Sequence, residues 1–371
     1  MNTPPKIRLA QLDFLRTLAV LMVIGNHWCV CPPELSIFLN KITIVWGRGG
    51  WTGVDLFFVL SGFLISGLLF NEYQKRGDID IKRFLMRRGF KIYPAFWFLI
   101  FVTLLITILT HMEIYRGGFL SEMLFIQNYH PGIWDHTWSL AVEEHFYIFL
   151  SFVFFILLIT NKKSEKNSFA SIPKLFIIIA VTCLLMRLLT VAYVPFSYAQ
   201  NIEPTHLRID SLFFGVFLSY LWNFKGLSEN KFLNKHKLII GLIGVGCFLP
   251  AFIFELNETP WIWTVGLTLF YFGGGCLLLA MLKSNLNDQF ILRNISNIGK
   301  YSYSIYLWNY PTRAWLSQST DNITENWFFY TFLYLAGTFI LGIGTAKLIE
   351  YPILKLRDKL MPSQISALKQ A

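Results

Sequence analysis

Apolar residues dominate long stretches of this chain, and short polar segments interrupt them at near-regular intervals. The uninterrupted stretches fall at about 11–28, 53–71, 94–111, 138–160, 174–194, 207–224, 237–255, 261–282, 299–317 and 327–349. Most approach or exceed the roughly 20 residues that carry a helix across a bilayer. The pattern predicts an all-α polytopic membrane protein with about ten transmembrane helices. Phe119–Ile126 is apolar but too short to span, so a re-entrant or interfacial position is expected for it. No internal repeat is visible, which weakens an inverted-repeat transporter reading.

Charge gives these spans a direction. The amino end carries two Lys or Arg, segment 72–93 seven, 161–174 four, 225–237 four, 283–300 three and the tail from Lys347 five. The intervening loops hold only Lys41, Arg48 and Arg116. Basic and nearly cation-free boundaries therefore alternate, and the positive-inside rule places both termini in the cytoplasm. The same distribution accounts for the net charge of +10 without nucleic acid. Apolar residues make up 54% and charged residues 15%, which excludes a set of soluble domains. The first span is not a cleaved signal peptide, because Asp13 and Arg16 interrupt its core and no small-x-small site follows. The five cysteines form neither a disulfide framework nor a metal-ligand pattern, so no metal is expected. One membrane domain over 9–355 and a short cytoplasmic tail over 356–371 are expected, with no appended soluble domain.

Ionisable residues inside a span are costly and mark a pathway or a reaction site. Leu12–Trp28 carries Asp13, Arg16, Asn26 and His27. Arg16 and His27 are eleven residues apart, about three turns, hence on one face and about 16 Å apart along the axis. Asp13 sits one turn before Arg16, near enough to pair with it. Ile81–Trp97 interleaves apolar residues with Arg87, Arg88 and Lys91. That spacing fits an interfacial amphipathic helix on lipid phosphate, and equally a site whose guanidinium forks grip a phosphorylated cofactor. Asp55 opens the second span at the level of His27, where it either orients the imidazole or meets the helix dipole. Ser61, Gly62, Ser66 and Gly67 form a small-residue stripe suited to close helix packing. Outer segment 127–147 is dense in aromatic and polar groups. It reads as an aromatic belt or as a sugar-stacking surface around Trp138. Glu143 and Glu144 are adjacent, so only one is expected to point into the bundle. Arg208 and Asp210 are two apart and do not face each other, so each needs another partner.

Two polar clusters result, Arg16, Arg87, Arg88 and Lys91 at the inner depth, and His27, Asp55, Glu143 or Glu144, and Arg208 at the outer. The arrangement suits an anionic donor held at the cytoplasmic side with its reactive end pushed outward, and a pantetheine arm is long enough for the gap. The pieces LDFLRTLAVLMVIGNH, GVDLFFVLSGFLI, RRGFKIYP, WSLAVEEHFY, RIDSLFFG and YSYSIYLWNYP occur in that order. In this the chain resembles the acyltransferase-3 family of integral membrane acyltransferases, which includes O-acetylases of polysaccharides. The resemblance implies an acyl-CoA donor, usually acetyl-CoA, and a carbohydrate or glycolipid acceptor at a bacterial cytoplasmic (inner) membrane. It implies His27 as the catalytic histidine, Arg16 as its partner, and CoA contacts from Arg87, Arg88 and Lys91. Asp55 and Glu143 or Glu144 would orient the ring, while Arg208, Asp210 and Trp138 are candidates for the acceptor. Two departures stand out: Lys91 replaces a usual arginine, and Asn309 stands where relatives often have histidine. A transporter of an anionic lipid-linked or acylated molecule is the alternative, with the same charges as waypoints.

Overall fold

The computed structural model describes residues 10–110, 116–161, 167–285, 290–319, 323 and 325–362. Its helices, in order, are α1 (Ala10–Asn26), α2 (Ile37–Gly49), α3 (Gly53–Arg76), α4 (Ile81–Thr110), α5 (Arg116–Met123), α6 (Trp138–Asn161), α7 (Ile172–Tyr193) and α8 (Tyr198–Asn201). They continue with α9 (Thr205–Phe224), α10 (Lys231–Ile253), α11 (Pro260–Trp263), α12 (Val265–Leu282), α13 (Phe290–Ser296), α14 (Ser302–Ser319), α15 (Trp327–Thr345) and α16 (Tyr351–Leu360). No strand occurs among the described residues. Lys6, Arg8, the cations of loop 162–166 and the tail beyond 362 lie outside them.

A helix stands at each of the ten expected positions, yet seven helical stretches among the described residues are long and apolar enough to cross a membrane. Helices α1, α9 and α14 are not among the seven. α1 has 17 residues and carries Asp13 and Arg16. α9 carries Arg208 and Asp210, and α14 is broken up by Asn309, Pro311 and Arg313. The helices that are least lipid-like thus hold the polar chemistry, and their neighbours shelter them. α7 shows the converse: only Ile172, Cys183 and Arg187 are buried along it.

The predicted small-residue stripe seats α3 against α9. A Cβ on Gly62 would overlap the Leu212 carbonyl, and one on Gly215 would overlap the Val59 carbonyl. Without those side chains the two backbones close to contact distance, where dispersion forces act.

The structure departs from expectation in three places. The basic segment 81–93 and the third span are one 30-residue helix, α4, with Pro94 inside it. An amphipathic helix, α2, links the first two spans. The last span does not stop at Glu350–Tyr351–Pro352: it passes through a π-helical turn, Ala346–Glu350, into α16. Pro352 sits in the first turn of α16, directly after the π-helical turn, which is where the regular backbone ladder is already interrupted.

Candidate active site

A cavity of about 490 Å³ runs through the middle of the bundle. Its wall follows α3 from Val54 to Asn71, about 25 Å of helix. Arg16, Arg88, Lys91 and Lys300 line it toward the Asn71 end, while Ser139, Leu140 and Tyr306 line it toward the Val54 end. Phe57, Leu60, Leu64 and Leu68 supply an apolar wall between them.

The cationic end holds three of the four predicted cations. Arg16 pairs with Asp13 at 3.2 Å, as the one-turn spacing requires. Arg88 lies over the rings of Phe84 and Tyr147 at 6.0 and 5.7 Å and has no ion pair among the described residues. Lys91 meets Glu350, whose other oxygen accepts from Ser304 at 2.9 Å. The π-helical turn is what aims Glu350 inward, since it rotates the last residues of α15 relative to a regular helix. Arg87 points elsewhere: it pairs with Asp358 of α16 at 2.9 Å and with the Met361 carbonyl just past that helix, and it is absent from the cavity wall. The expected grouping of Arg87 with the other three is therefore not what the geometry brings together.

The far end is built on α14. Pro311 has no N–H, so the carbonyl of Leu307, four residues earlier, lacks its helical partner. His136 Nε2 takes that carbonyl at 3.1 Å. Two residues on, Asn309 donates its amide Nδ2 to the Tyr306 carbonyl, which turns Oδ1 toward His27. That oxygen can only accept, so His27 carries its proton on Nδ1 and keeps a bare lone pair on Nε2. The two imidazoles lie 6.4 Å apart, centroid to centroid, and share Tyr310 as a wall at 4.9 and 5.5 Å. Tyr306 donates to the His136 carbonyl at 2.6 Å, and Ser139 donates to the Tyr306 oxygen at 2.7 Å. The Ser139–Tyr306 layer therefore closes this end of the cavity, and both histidines lie behind it, off the cavity wall.

The carboxylates divide. Glu143 lines the cavity and accepts from Tyr147 at 3.0 Å, whereas Glu144 accepts from Tyr93 of α4 at 2.9 Å. Asp55 and Arg208 pair at 2.8 Å, with the guanidinium over Phe58 and Trp138 at 5.6 and 5.4 Å. Asp210 pairs with Arg187. All four charges are buried to 1% exposure or less. Arg208 and Asp210 do find separate partners, and the quartet ties α3, α7 and α9 together. The ring-orienting place expected for Asp55 is occupied by Asn309. Trp138 sits behind its cavity-lining neighbour Ser139.

Outside the spans, Glu122 fastens the segment that carries His136. One oxygen accepts from Ile133 N at 3.1 Å, Trp134 N at 3.2 Å and Thr137 Oγ1 at 2.8 Å. Burial pushes its carboxyl up to about 7, against the pull of those donors. Glu203, also outside the spans, is pushed up to about 7 by burial and by Asp135. His136, Tyr306, Pro311 and Glu350 did not emerge from the sequence as site residues. His136 was hidden inside a belt-like aromatic segment, and a proline four residues after a carbonyl in a polar helix was the signal available.

Comparison with known proteins gives the family. Residues 9–347 match the family description "Acyltransferase domain". The peptidoglycan O-acetyltransferase OatA of Listeria monocytogenes is 30% identical over 371 residues, covering 93% of this chain and 56% of its own length. The O-acetyltransferase OatA of Staphylococcus aureus (strain NCTC 8325 / PS 47) is 28% identical over 327 residues, 82% of this chain and 50% of its own. A putative peptidoglycan O-acetyltransferase, YrhL, of Bacillus subtilis is 30% identical over 366 residues, 92% and 54% respectively. The chain thus spans about half the length of these relatives. No solved structure matches. With the match running from residue 9 to residue 347 of 371, the chain belongs to the acyltransferase-3 family of integral membrane acyltransferases.

Proposed function

We propose that the chain is a membrane O-acyltransferase that moves an acyl group, acetyl in the simplest case, from acyl-CoA to a hydroxyl of an extracytoplasmic or lipid-linked carbohydrate. The observation that carries this reading is the elongated cavity with cations at one end and a tautomerically fixed histidine beyond the other. Arg16, Arg88 and Lys91 suit the phosphates of the donor, guanidinium as forks and ammonium as a point charge. The apolar stretch between suits the uncharged pantetheine arm. His27 Nε2 takes the proton as the acceptor oxygen attacks the thioester carbonyl. The C–S bond then breaks, and the thiolate leaves and is reprotonated. Glu143 holds Tyr147 on the cavity wall, and Glu144 holds Tyr93 behind it. Asp55, Arg208, Asp210 and Trp138 back its wall on the acceptor side.

The names of the relatives make a cell-wall glycan the first acceptor to try. Ten spans with both termini in the cytoplasm, and residence in a bacterial inner membrane, complete the proposal and rest on the alternation of Lys and Arg. A positioned general base contributes about 10² to 10⁴ in rate. His27→Ala is therefore expected to lower thiol release from acetyl-CoA, measured with a glycan acceptor, by at least about 10²-fold at unchanged expression. Wild-type turnover in that variant would remove His27 from the chemistry. Glycan-dependent movement of label across vesicles without thiol release would replace transferase by transporter.

A further inference from the structure

The transfer reading uses one imidazole, and the site contains two. His136 is 4% exposed and its Nδ1 has no hydrogen-bond partner. Its Nε2 hydrogen is committed to the Leu307 carbonyl. A neutral imidazole has a single N–H, so Nδ1 is a bare lone pair in a dry place. A buried acceptor left empty is destabilising, and that is tolerated where a ligand supplies the donor. The ring is well held for this purpose. Leu307 fixes one edge, Tyr310 stacks on a face at 5.5 Å, and Tyr306 binds the residue's own carbonyl. Glu122 anchors the turn on which it stands. The same turn of α14 that leaves His27 with a bare Nε2 leaves His136 with a bare Nδ1, two acceptor nitrogens on rings 6.4 Å apart.

We propose that His136 is an acceptor-binding residue whose Nδ1 receives a hydrogen bond from a second polar hydrogen of the carbohydrate, a hydroxyl or amide N–H beside the hydroxyl that His27 deprotonates. The inference rests on the transfer reading for the class of acceptor. A single alcohol fills one nitrogen and leaves the other empty, whereas a sugar with a neighbouring donor fills both. His136 in this way favours carbohydrate over lone alcohols or water, the competitors that would waste the thioester.

Two substitutions separate binding from scaffolding. Gln at this position places a donor where Nε2 stands, keeps Leu307 and removes the acceptor. Asn places an oxygen where Nδ1 stands and gives up Leu307. The full chain in lipid nanodiscs is titrated with the N-acetylglucosamine tetrasaccharide, with melting temperature measured alongside. For His136→Gln the expected result is near-normal melting with dissociation constant raised about five- to tenfold, one neutral hydrogen bond's worth. For His136→Asn the expected result is lower melting with affinity close to wild type. The reverse order, wild-type affinity in His136→Gln with loss in His136→Asn, makes the residue structural and overturns the proposal. So does a wild-type protein that fails to bind the tetrasaccharide. Binding that follows the expected order without any acetyl-CoA consumption leaves the His136 site standing and overturns the transfer reading instead.

Discussion

Asn309 shows how much chemistry a single side chain can set. It joins Tyr306, three residues earlier on its own helix, to His27, 282 residues away in the chain, and in doing so decides which imidazole nitrogen is bare. Replacement by leucine keeps the volume and removes both bonds. The ring is then free to rotate or change tautomer, so kcat for acyl transfer is expected to fall about 10- to 10²-fold with the KM for acyl-CoA unchanged, a part of the about 10² to 10⁴ that a positioned base contributes. An equal fall in kcat/KM for donor and no change in kcat would place Asn309 in donor binding instead. The buried quartet supplies a second test at this scale. Asp55→Leu strands the Arg208 guanidinium, already at 1% exposure, at a cost of about 3–5 kcal/mol, seen as reduced yield and melting temperature in detergent. Removing both partners as Asp55→Leu with Arg208→Leu is expected to recover most of that loss. Residues of this kind were legible in the sequence as charges inside apolar runs. Their pairings were not, because each pairing crosses between helices that sequence cannot place side by side.

Whole elements were easier to foresee than their joints. A helix stands at each of the ten apolar runs, and for seven of them length and hydropathy alone suffice to specify a span. The π-helical turn at Ala346–Glu350 and the helical continuation through Pro94 escaped notice, since both depend on neighbours that satisfy displaced backbone groups. The turn Asp135–Thr137 is a third such joint, and Glu122 governs it. Its carboxyl sits at about 7 in the folded chain, raised by burial from an ordinary value near 4.5. A raised carboxyl favours the folded state when protonated. That contribution is complete below about pH 4.5 and is lost as pH climbs through 7. The melting temperature of wild type relative to Glu122→Gln is thus expected to decline from pH 5 to pH 8, with most of the change between pH 5 and 7. A difference that stays flat over this range would mean that the three donors to Glu122 outweigh its desolvation.

At the scale of the molecule, two neighbouring arginines test what the cavity is for. Arg87 and Arg88 are alike in composition and in distance from the helix end, and either one fits lipid phosphate or cofactor phosphate by spacing alone. The bundle assigns them differently. Arg88 faces the cavity with Arg16, Lys91 and Lys300, while Arg87 clasps α16 through Asp358 and the Met361 carbonyl. If the cavity receives the donor, Arg88→Ala raises the KM for acyl-CoA about tenfold or more, because a charge-assisted contact to phosphate contributes about 1.5–3 kcal/mol. Acceptor KM stays within about twofold. Arg87→Ala lowers melting temperature slightly, an exposed ion pair being weak, and leaves donor KM near wild type. Equal effects of the two substitutions would return the segment to its interfacial, lipid-binding reading and would leave the cavity without a donor. The contrast is informative because no property of the sequence separates the two residues. Only the rotation of α4 against α3 and α16 does, and that rotation is fixed by apolar packing at Phe84, Ile92, Phe96 and Leu99, all buried on the side of the helix that carries Arg88.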